Sequence, residues 1–239
     1  MSSLRVEAIT TSIFPRGGNL AEFIFQSIPS ARLEERMIIA VTSKIVSLSE
    51  NRLISQSEIS KDNLVRREAD IWLGEGGYGC ALTIKDGLLI PSAGIDESNS
   101  AGGDFILYPE DSFRSAKSFW QELREFWGLN ELRVILTDSH SFPLRWGVTG
   151  VCLSYWGFRA IKNMIGSQDL FGRELRMTKI NRADAFSAAA VLTMGEGGEC
   201  RPLALLSGME CEFCEETDPS ELKISLENDL YYPLLKTIK

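Results

Sequence analysis

The amino-acid sequence predicts an α+β fold made mostly of antiparallel sheet with packed helices. Two observations carry this. Strand-like and helix-like stretches do not alternate regularly, as a doubly wound parallel sheet would require. Lys85-Asp86-Gly87 also separates two apolar runs, Ala81 to Ile84 and Leu88 to Ile90, and Asp-Gly in that setting is a strong hairpin signal.

Taken in order, Arg5 to Ile13 reads as a strand. Gly18 to Ile28 carries Leu20, Phe23, Ile24 and Ile28 at helical spacing behind the potential N-cap Asn19. Met37 to Val41 is a buried strand running into Thr42-Ser43-Lys44, and Leu53-Ile54 begins a further extended piece. Asp62 to Leu73 alternates its charges with a helical period. After the hairpin come a short strand at Phe105 to Tyr108 and a long amphipathic helix, capped by Asp111 or Ser112 and stopped by Gly128. Arg133 to Leu136 is a strand leading into Thr137-Asp138-Ser139, and Val148 to Tyr155 is another. Asn181 caps an Ala-rich helix with Asp184 in its first turn, ended by Gly195, Gly197 and Gly198. Leu203 to Leu206 forms a last core strand. Residues 210 to 221 hold six acidic side chains and no basic one, the composition of a mobile tail or solvated surface.

The 239 residues suffice for one large or two intimate domains, and 44% hydrophobic with 24% charged residues is ordinary globular usage. No apolar run approaches the roughly 18 residues that span a bilayer, and the N-terminus lacks a signal-peptide pattern. A cytoplasmic protein without membrane contact is expected. A net charge of −8 argues against nucleic acid as a partner but leaves small anions open. The five cysteines are odd in number and scattered, so no disulfide framework is expected. Cys211 and Cys214 form a C-x-x-C that no second pair or nearby histidine completes into a zinc site.

Gly74-Glu75-Gly76-Gly77-Tyr78-Gly79 formally matches G-x-G-x-x-G. A dinucleotide site needs a strand before that run and a helix after it; here a helix is expected before and a hairpin after, so it reads as a connector. No P-loop occurs. His140, the only histidine, rules out a His-rich metal site and reads as a loop residue. Three oxygen-rich segments, each just past a regular element, could converge on hard cations. They are Pro91 to Ser100 with Asp96 and Asn99, Thr137-Asp138-Ser139, and Met194 to Glu199 with Glu196. Lys44 suits phosphate neutralisation, and Arg145, beside Trp146, could offer a guanidinium to an anion. Taken alone, each of these two reads as a surface cation.

Taken together, these segments resemble the coenzyme F-420-0:glutamate γ-ligase family. The resemblance rests on TSKIVSLSENR at 42–52, IPSAGIDESNS at 90–100, ILTDSHSFPLRWGVTGV at 135–151 and DLFGRELRMTKINRADAFSAAAVLTMGEG at 169–197. It implies a γ-glutamyl ligase domain over 1–209, possibly of two intimate subdomains, with 210–239 as an acidic tail. It also implies an intertwined homodimer and a GTP or ATP site beside two Mg²⁺ or Mn²⁺ ions, with K⁺ as an optional further ion. On this pattern the metal ligands are Asp96, Asp138, Ser139 and Glu196. A Ser stands where the family has Thr at 139, and a Glu where it has Gln at 196. The nucleotide contacts are Ser43, Lys44, Asn99, Met194, Gly195, Glu196, Gly197 and Gly198, and Lys44 and Arg145 are the catalytic cations. Thr10 to Ile13 matches poorly.

The implied reaction phosphorylates an acceptor carboxylate and lets the amine of L-glutamate displace the phosphate. The Ser141 to Trp146 wording departs from the family's deazaflavin pattern and looks more like a bacterial branch that extends folate. A folate acceptor is therefore expected. The alternatives are coenzyme F-420-0 as acceptor, a nucleotide- or metal-binding homologue without activity, and a phosphohydrolase using the same carboxylates.

Overall fold

The computed structural model describes residues 3–100 and 102–236. In chain order its elements are β1 (Arg5–Ile9), α1 (Leu20–Ser27), β2 (Ile38–Thr42), α2 (Ser43–Ser49), β3 (Leu53–Ile54), α3 (Lys61–Glu68), β4 (Ile71–Glu75), β5 (Ala81–Lys85), β6 (Leu88–Pro91), β7 (Phe105–Ile106), α4 (Ser112–Trp127), β8 (Arg133–Ser141), β9 (Val148–Trp156), β10 (Ile161–Asn163), β11 (Lys179–Asn181), α5 (Arg182–Met194), β12 (Leu203–Ser207) and α6 (Tyr232–Leu235). They form two compact units, Met1–Arg52 with Tyr108–Pro219, and Leu53–Leu107 with Ser220–Lys239. Among the described residues no helix is long and apolar enough to cross a membrane.

The first unit is built on a five-stranded sheet in the order β1-β12-β2-β8-β9. All its pairs are antiparallel except β2 with β8, which run parallel. The α+β expectation with mostly antiparallel sheet holds; the parallel pair could not be read from local sequence. It explains why Ile38-Ile39-Ala40-Val41 is apolar at every position. Central strands covered on both faces lose the polar alternation, and all four residues are fully buried.

One face, carrying Ile39, Val41, Val134, Leu136, Leu203 and Leu205, joins a core completed by Ile24 and Ile28 near α1 and by Phe119, Trp120 and Leu123 of α4. Each large α4 side chain buried there contributes about 1.5–3 kcal/mol. Asp111 caps α4 by accepting from the Arg114 amide, and Gly128 ends it in a left-handed turn at φ 64°. The alternate residues Ile38, Ala40, Ile135, Ala204 and Leu206 are equally buried, and α5 crosses these strands. Its Ala183, Ser187 and Ala190 allow close approach.

Glu35 ties the segment before β2 to the turn before β8. Its carboxylate accepts from the Asn130 amide at 2.9 and 3.1 Å and from the Glu131 amide at 2.7 Å. The Asn130 and then the Glu131 amide hold its pKa below the ordinary carboxylate value. A lowered folded-state pKa gives stability that is present above the unfolded value and lost as pH falls through the folded one. Glu35→Gln is therefore expected to cost about 0.5 kcal/mol at neutral pH after solvent screening. The gap from the wild-type melting temperature should narrow once the pH drops below about 4.5.

In the second unit β4, β5 and β6 form an antiparallel sheet, β3 pairs with β7, and Leu64, Val65, Ala93, Ile95, Phe105 and Leu107 contribute to the core. The expected hairpin is present: Lys85 pairs with Leu88, and both Asp86 (φ 52°) and Gly87 (φ 84°) are left-handed, as a two-residue type I′ turn requires.

Several boundaries differ from expectation. The charged helix stops at Glu68, and Ile71 to Glu75 pairs with β5 instead, so available strand partners overrode the helical charge pattern. A strand, not a helix, therefore precedes Gly76 to Gly79, and another strand follows, which keeps that run a connector. β1 ends at Ile9, and Ser43–Ser49 turns helical straight after β2. The acidic stretch is not one tail. Residues up to Pro219 belong to the first unit, where the Trp156 indole donates to the Glu215 carbonyl at 3.0 Å and the Gly157 amide to the buried Thr217 hydroxyl at 3.2 Å. The rest goes with the second unit.

Candidate active site

The register of the first unit brings four segments to one edge of its sheet. Because β2 and β8 are parallel with Thr42 opposite Thr137, Ser43-Lys44 and Asp138-Ser139 both leave the ladder on the same side. β12 is antiparallel to β2 with Leu203 opposite Val41, and the Thr42 amide donates to the Pro202 carbonyl at 3.0 Å. The 195–202 loop, carrying Glu196, therefore ends at that edge. β1 ends there too, Ile9 facing Leu203 and the Thr11 amide donating to the Cys200 carbonyl at 2.9 Å. Carboxyl ends of parallel strands are where open sheets commonly bind ligands.

A bulge re-aims the chain at the central carboxylate. Leu136 pairs with Ser154 but Thr137 with Cys152, which leaves Leu153 unmatched one residue before Asp138. Asp138 is half-buried, and its Oδ2 accepts from the Tyr108 hydroxyl at 2.6 Å. That contact joins residues thirty positions apart, and nothing in the sequence pointed to Tyr108. Ser139 stands opposite Gly150, against which α5 packs. Ser43 is buried and Lys44 half-buried.

Beyond α5, Met194 is buried and Gly195 (φ 85°) opens the loop. The Glu199 carboxylate folds back over this turn, accepting from the Gly197 amide at 2.8 Å. A carboxylate already occupies one amide that a phosphate could have used, a feature the loop's composition did not announce. Gly198 and Glu196 are exposed.

Arg145 sits at the exposed tip of the β8–β9 hairpin, beyond the Ser141–Val148 pair that is itself three ladder positions past Asp138. Phe142, Leu144 and Trp146 are exposed on the same tip, and Leu144 is left-handed at φ 60°. His140, expected in a loop, stands within β8 opposite Thr149; burial lowers its pKa, with Asp184 opposing. The Asp184 carboxylate accepts from the Cys152 amide at 2.9 Å, and burial raises the Cys152 thiol far above its usual range, so that thiol is inert.

Asp96 and Asn99 belong to the second unit. Asp96 exchanges both backbone hydrogen bonds with Ile106, and its carboxylate accepts from the Ser98 amide at 2.6 Å, forming a tight Asx turn. Asn99 is left-handed at φ 56°. Just upstream, Ser92, Ala93 and Gly94 are all left-handed, at φ 51°, 54° and 70°. The fully buried Thr83 pins this turn, donating to the Ile90 carbonyl at 2.5 Å and accepting from the Ala93 amide at 2.8 Å. Backbone held in such conformations by its surroundings is common at functional sites.

No group of three or more His, Cys, Asp or Glu side chains that could hold a metal ion is gathered among the described residues. Within the first unit the candidate donors are two carboxylates, Asp138 and Glu196, and the Ser139 hydroxyl. This all-oxygen set leaves positions to water and phosphate oxygens, which suits Mg²⁺ or Mn²⁺ and not zinc or copper.

The chain matches the F420-0:gamma-glutamyl ligase family over residues 8–208. It is similar to a coenzyme F420:L-glutamate ligase of Methanopyrus kandleri, 34% identical over 230 residues, covering 89% of this chain and 90% of that protein. A protein of the same name from Archaeoglobus fulgidus is 30% identical over 253 residues, 98% of this chain and 99% of its own length.

Proposed function

The chain belongs to the F420-0:γ-glutamyl ligase family, and on that premise we propose that it joins L-glutamate through an amide bond to a deazaflavin acceptor of the coenzyme F420 class, at the expense of GTP or ATP. The observation that carries the proposal is the gathering of Ser43-Lys44, Asp138-Ser139 and the Glu196 loop, all within the matched region, at one edge of a single sheet. The folate acceptor expected from the Ser141–Trp146 wording finds no support in the relatives, whose names specify coenzyme F420.

In this reading an acceptor carboxylate oxygen attacks the γ-phosphorus, the bond to the β-phosphate bridge breaks, and the nucleoside diphosphate leaves. The glutamate amine then attacks the acyl carbon, phosphate departs, and the amine loses a proton. Lys44 neutralises phosphate charge, and Arg145, from its exposed hairpin tip, meets the anionic substrate. Asp138, Ser139 and Glu196 would hold the divalent ions, which supply charge neutralisation and phosphate alignment. Asp96 and Asn99 of the second unit are expected to be needed for turnover as well. Tyr108 holds the Asp138 carboxylate, so Tyr108→Phe is expected to lower turnover by about tenfold, the usual cost of losing an outer-shell partner, with little change in melting temperature.

We also propose a homodimer, supported by the outward Leu170, Phe171 and Met177, each more than 70% exposed. The function is tested with a panel of deazaflavin and tetrahydrofolate acceptors, products being read by mass spectrometry and phosphate release followed with and without glutamate. A glutamyl mass gain on the deazaflavin alone is expected. Phosphate release that ignores glutamate would identify a phosphohydrolase instead, and a mass gain on tetrahydrofolate alone would restore the folate acceptor.

A further inference from the structure

At the other end of the same two strands lies a cavity of about 900 Å³ that the ligase reading does not use. Its walls include Arg36, Arg133, Arg159, Lys162 and Arg182, all from the first unit. Arg133 opens β8 opposite Ile38, four ladder positions from the Thr42–Thr137 pair, or about 13 Å along the sheet.

Arg133 is the anomaly. It is 1% exposed, yet among the described residues no ion pair involves it. Its Nη1 donates to the Arg36 carbonyl at 2.6 Å and its Nη2 to the Cys211 carbonyl at 2.9 Å, while its buried Nε donates to nothing. Arg36 stands at φ 71°, a conformation costly for a side-chain-bearing residue, in the turn that presents this carbonyl. A buried guanidinium whose hydrogen bonds go only to neutral carbonyls, with the nearby Glu131 carboxylate engaged by Arg36, carries a desolvation cost that an anion would offset.

The rest of the wall has the same sign. Arg36 is paired with Glu131 at 2.8 Å, but Arg159, Lys162 and Arg182 make no ion pair among the described residues. Two further carboxylates, Glu210 and Glu212, also line the cavity, so cations outnumber acids there by five to three, in a chain of net charge −8. Arg182 is the first residue of the thirteen-residue α5, whose N-terminal dipole adds in the same direction.

We propose that this cavity is a second anion site, taking a small molecule that bears phosphoryl or carboxylate oxygens, with Arg133 at its floor and Arg159, Lys162 and Arg182 at its mouth. The arginines offer forked donors matched to either oxyanion.

The test is hydrogen exchange on the full chain with millimolar inorganic phosphate or citrate. Protection of the 209–214 strip, together with a rise in melting temperature, is expected with at least one of them. Protection by phosphate alone identifies a phosphoryl ligand, and by citrate alone a carboxylate one. Arg159→Gln combined with Lys162→Gln changes two exposed side chains that make no ion pair, so the fold is kept; it should weaken the affinity at least tenfold. Arg182→Gln is the independent second variant. Protection confined to the edge at 43–44 and 138–139, protection unchanged in both variants, or none with either anion would overturn the proposal. So would protection that depends on protein concentration alone, which would place a second copy in the cavity.

Discussion

Asp138→Asn is expected to reduce glutamate-dependent ligation by about 10³-fold, the scale on which a single preorganised electrostatic contact acts in a transition state. The substitution keeps the shape and removes the charge. An amide can still accept from the Tyr108 hydroxyl, so the local hydrogen bond survives. The β8–β9 ladder on either side is made by backbone groups and is untouched. A half-buried position outside the core clusters should leave the melting temperature within a few degrees of wild type. The comparison with Tyr108→Phe separates the two contributions. That variant keeps the charge and loses its orientation, so it should fall about tenfold and not a thousandfold. Steady-state rates with the deazaflavin acceptor measure both. Activity of Asp138→Asn within a few-fold of wild type would sink the assignment of this carboxylate to phosphate and metal chemistry.

Gly150→Ala is expected to destabilise the protein by about 3 kcal/mol, at the upper end of overpacking costs. A Cβ on Gly150 would stand 2.2 Å from the Ser187 carbonyl oxygen, 2.5 Å from its carbon and 2.8 Å from Val191 Cγ2. The first two are helix backbone, which cannot rotate away as a side chain could, so either α5 or β9 must move. A loss of that size lowers the melting temperature by about 6–12 °C in a chain of this length. The effect should reach the active edge, since Gly150 is paired with Ser139 and α5 leads into the Glu196 loop. Gly77→Ala, where an added Cβ meets nothing within 4 Å, is the control and should stay within about 0.5 kcal/mol. Equal melting temperatures for the two variants would show that α5 does not pack on β9 this closely.

Local chemistry made much of the secondary structure legible. Asn19, Asp111 and Asn181 cap the helices they were expected to cap, because a short polar side chain before an amphipathic run has one cheap way to satisfy the first amides. Asp86-Gly87 turns the hairpin for an equally local reason. The errors fell where a distant partner decided. Ile71 to Leu73 became strand because β5 was there to pair with, and in the acidic stretch up to Pro219 Glu215 is held by Trp156 and Arg124 and Thr217 by Gly157.

The site divides in the same way. The sequence by itself determined the donor types, the segments that carry Asp96, Asp138 and Glu196, and the family, since each of these is a matter of residue identity and order; that Asp138 stands within β8 and not in a loop past it was decided by pairing with β9. Only the tertiary structure decided that β2 and β8 run parallel, which puts Lys44 and Asp138 at one edge and the buried Arg133 at the other. Only it revealed Tyr108 as the partner of Asp138. Pairing direction and contacts across thirty or more positions arise from how strands and helices share a core, and no local pattern of residues records that choice.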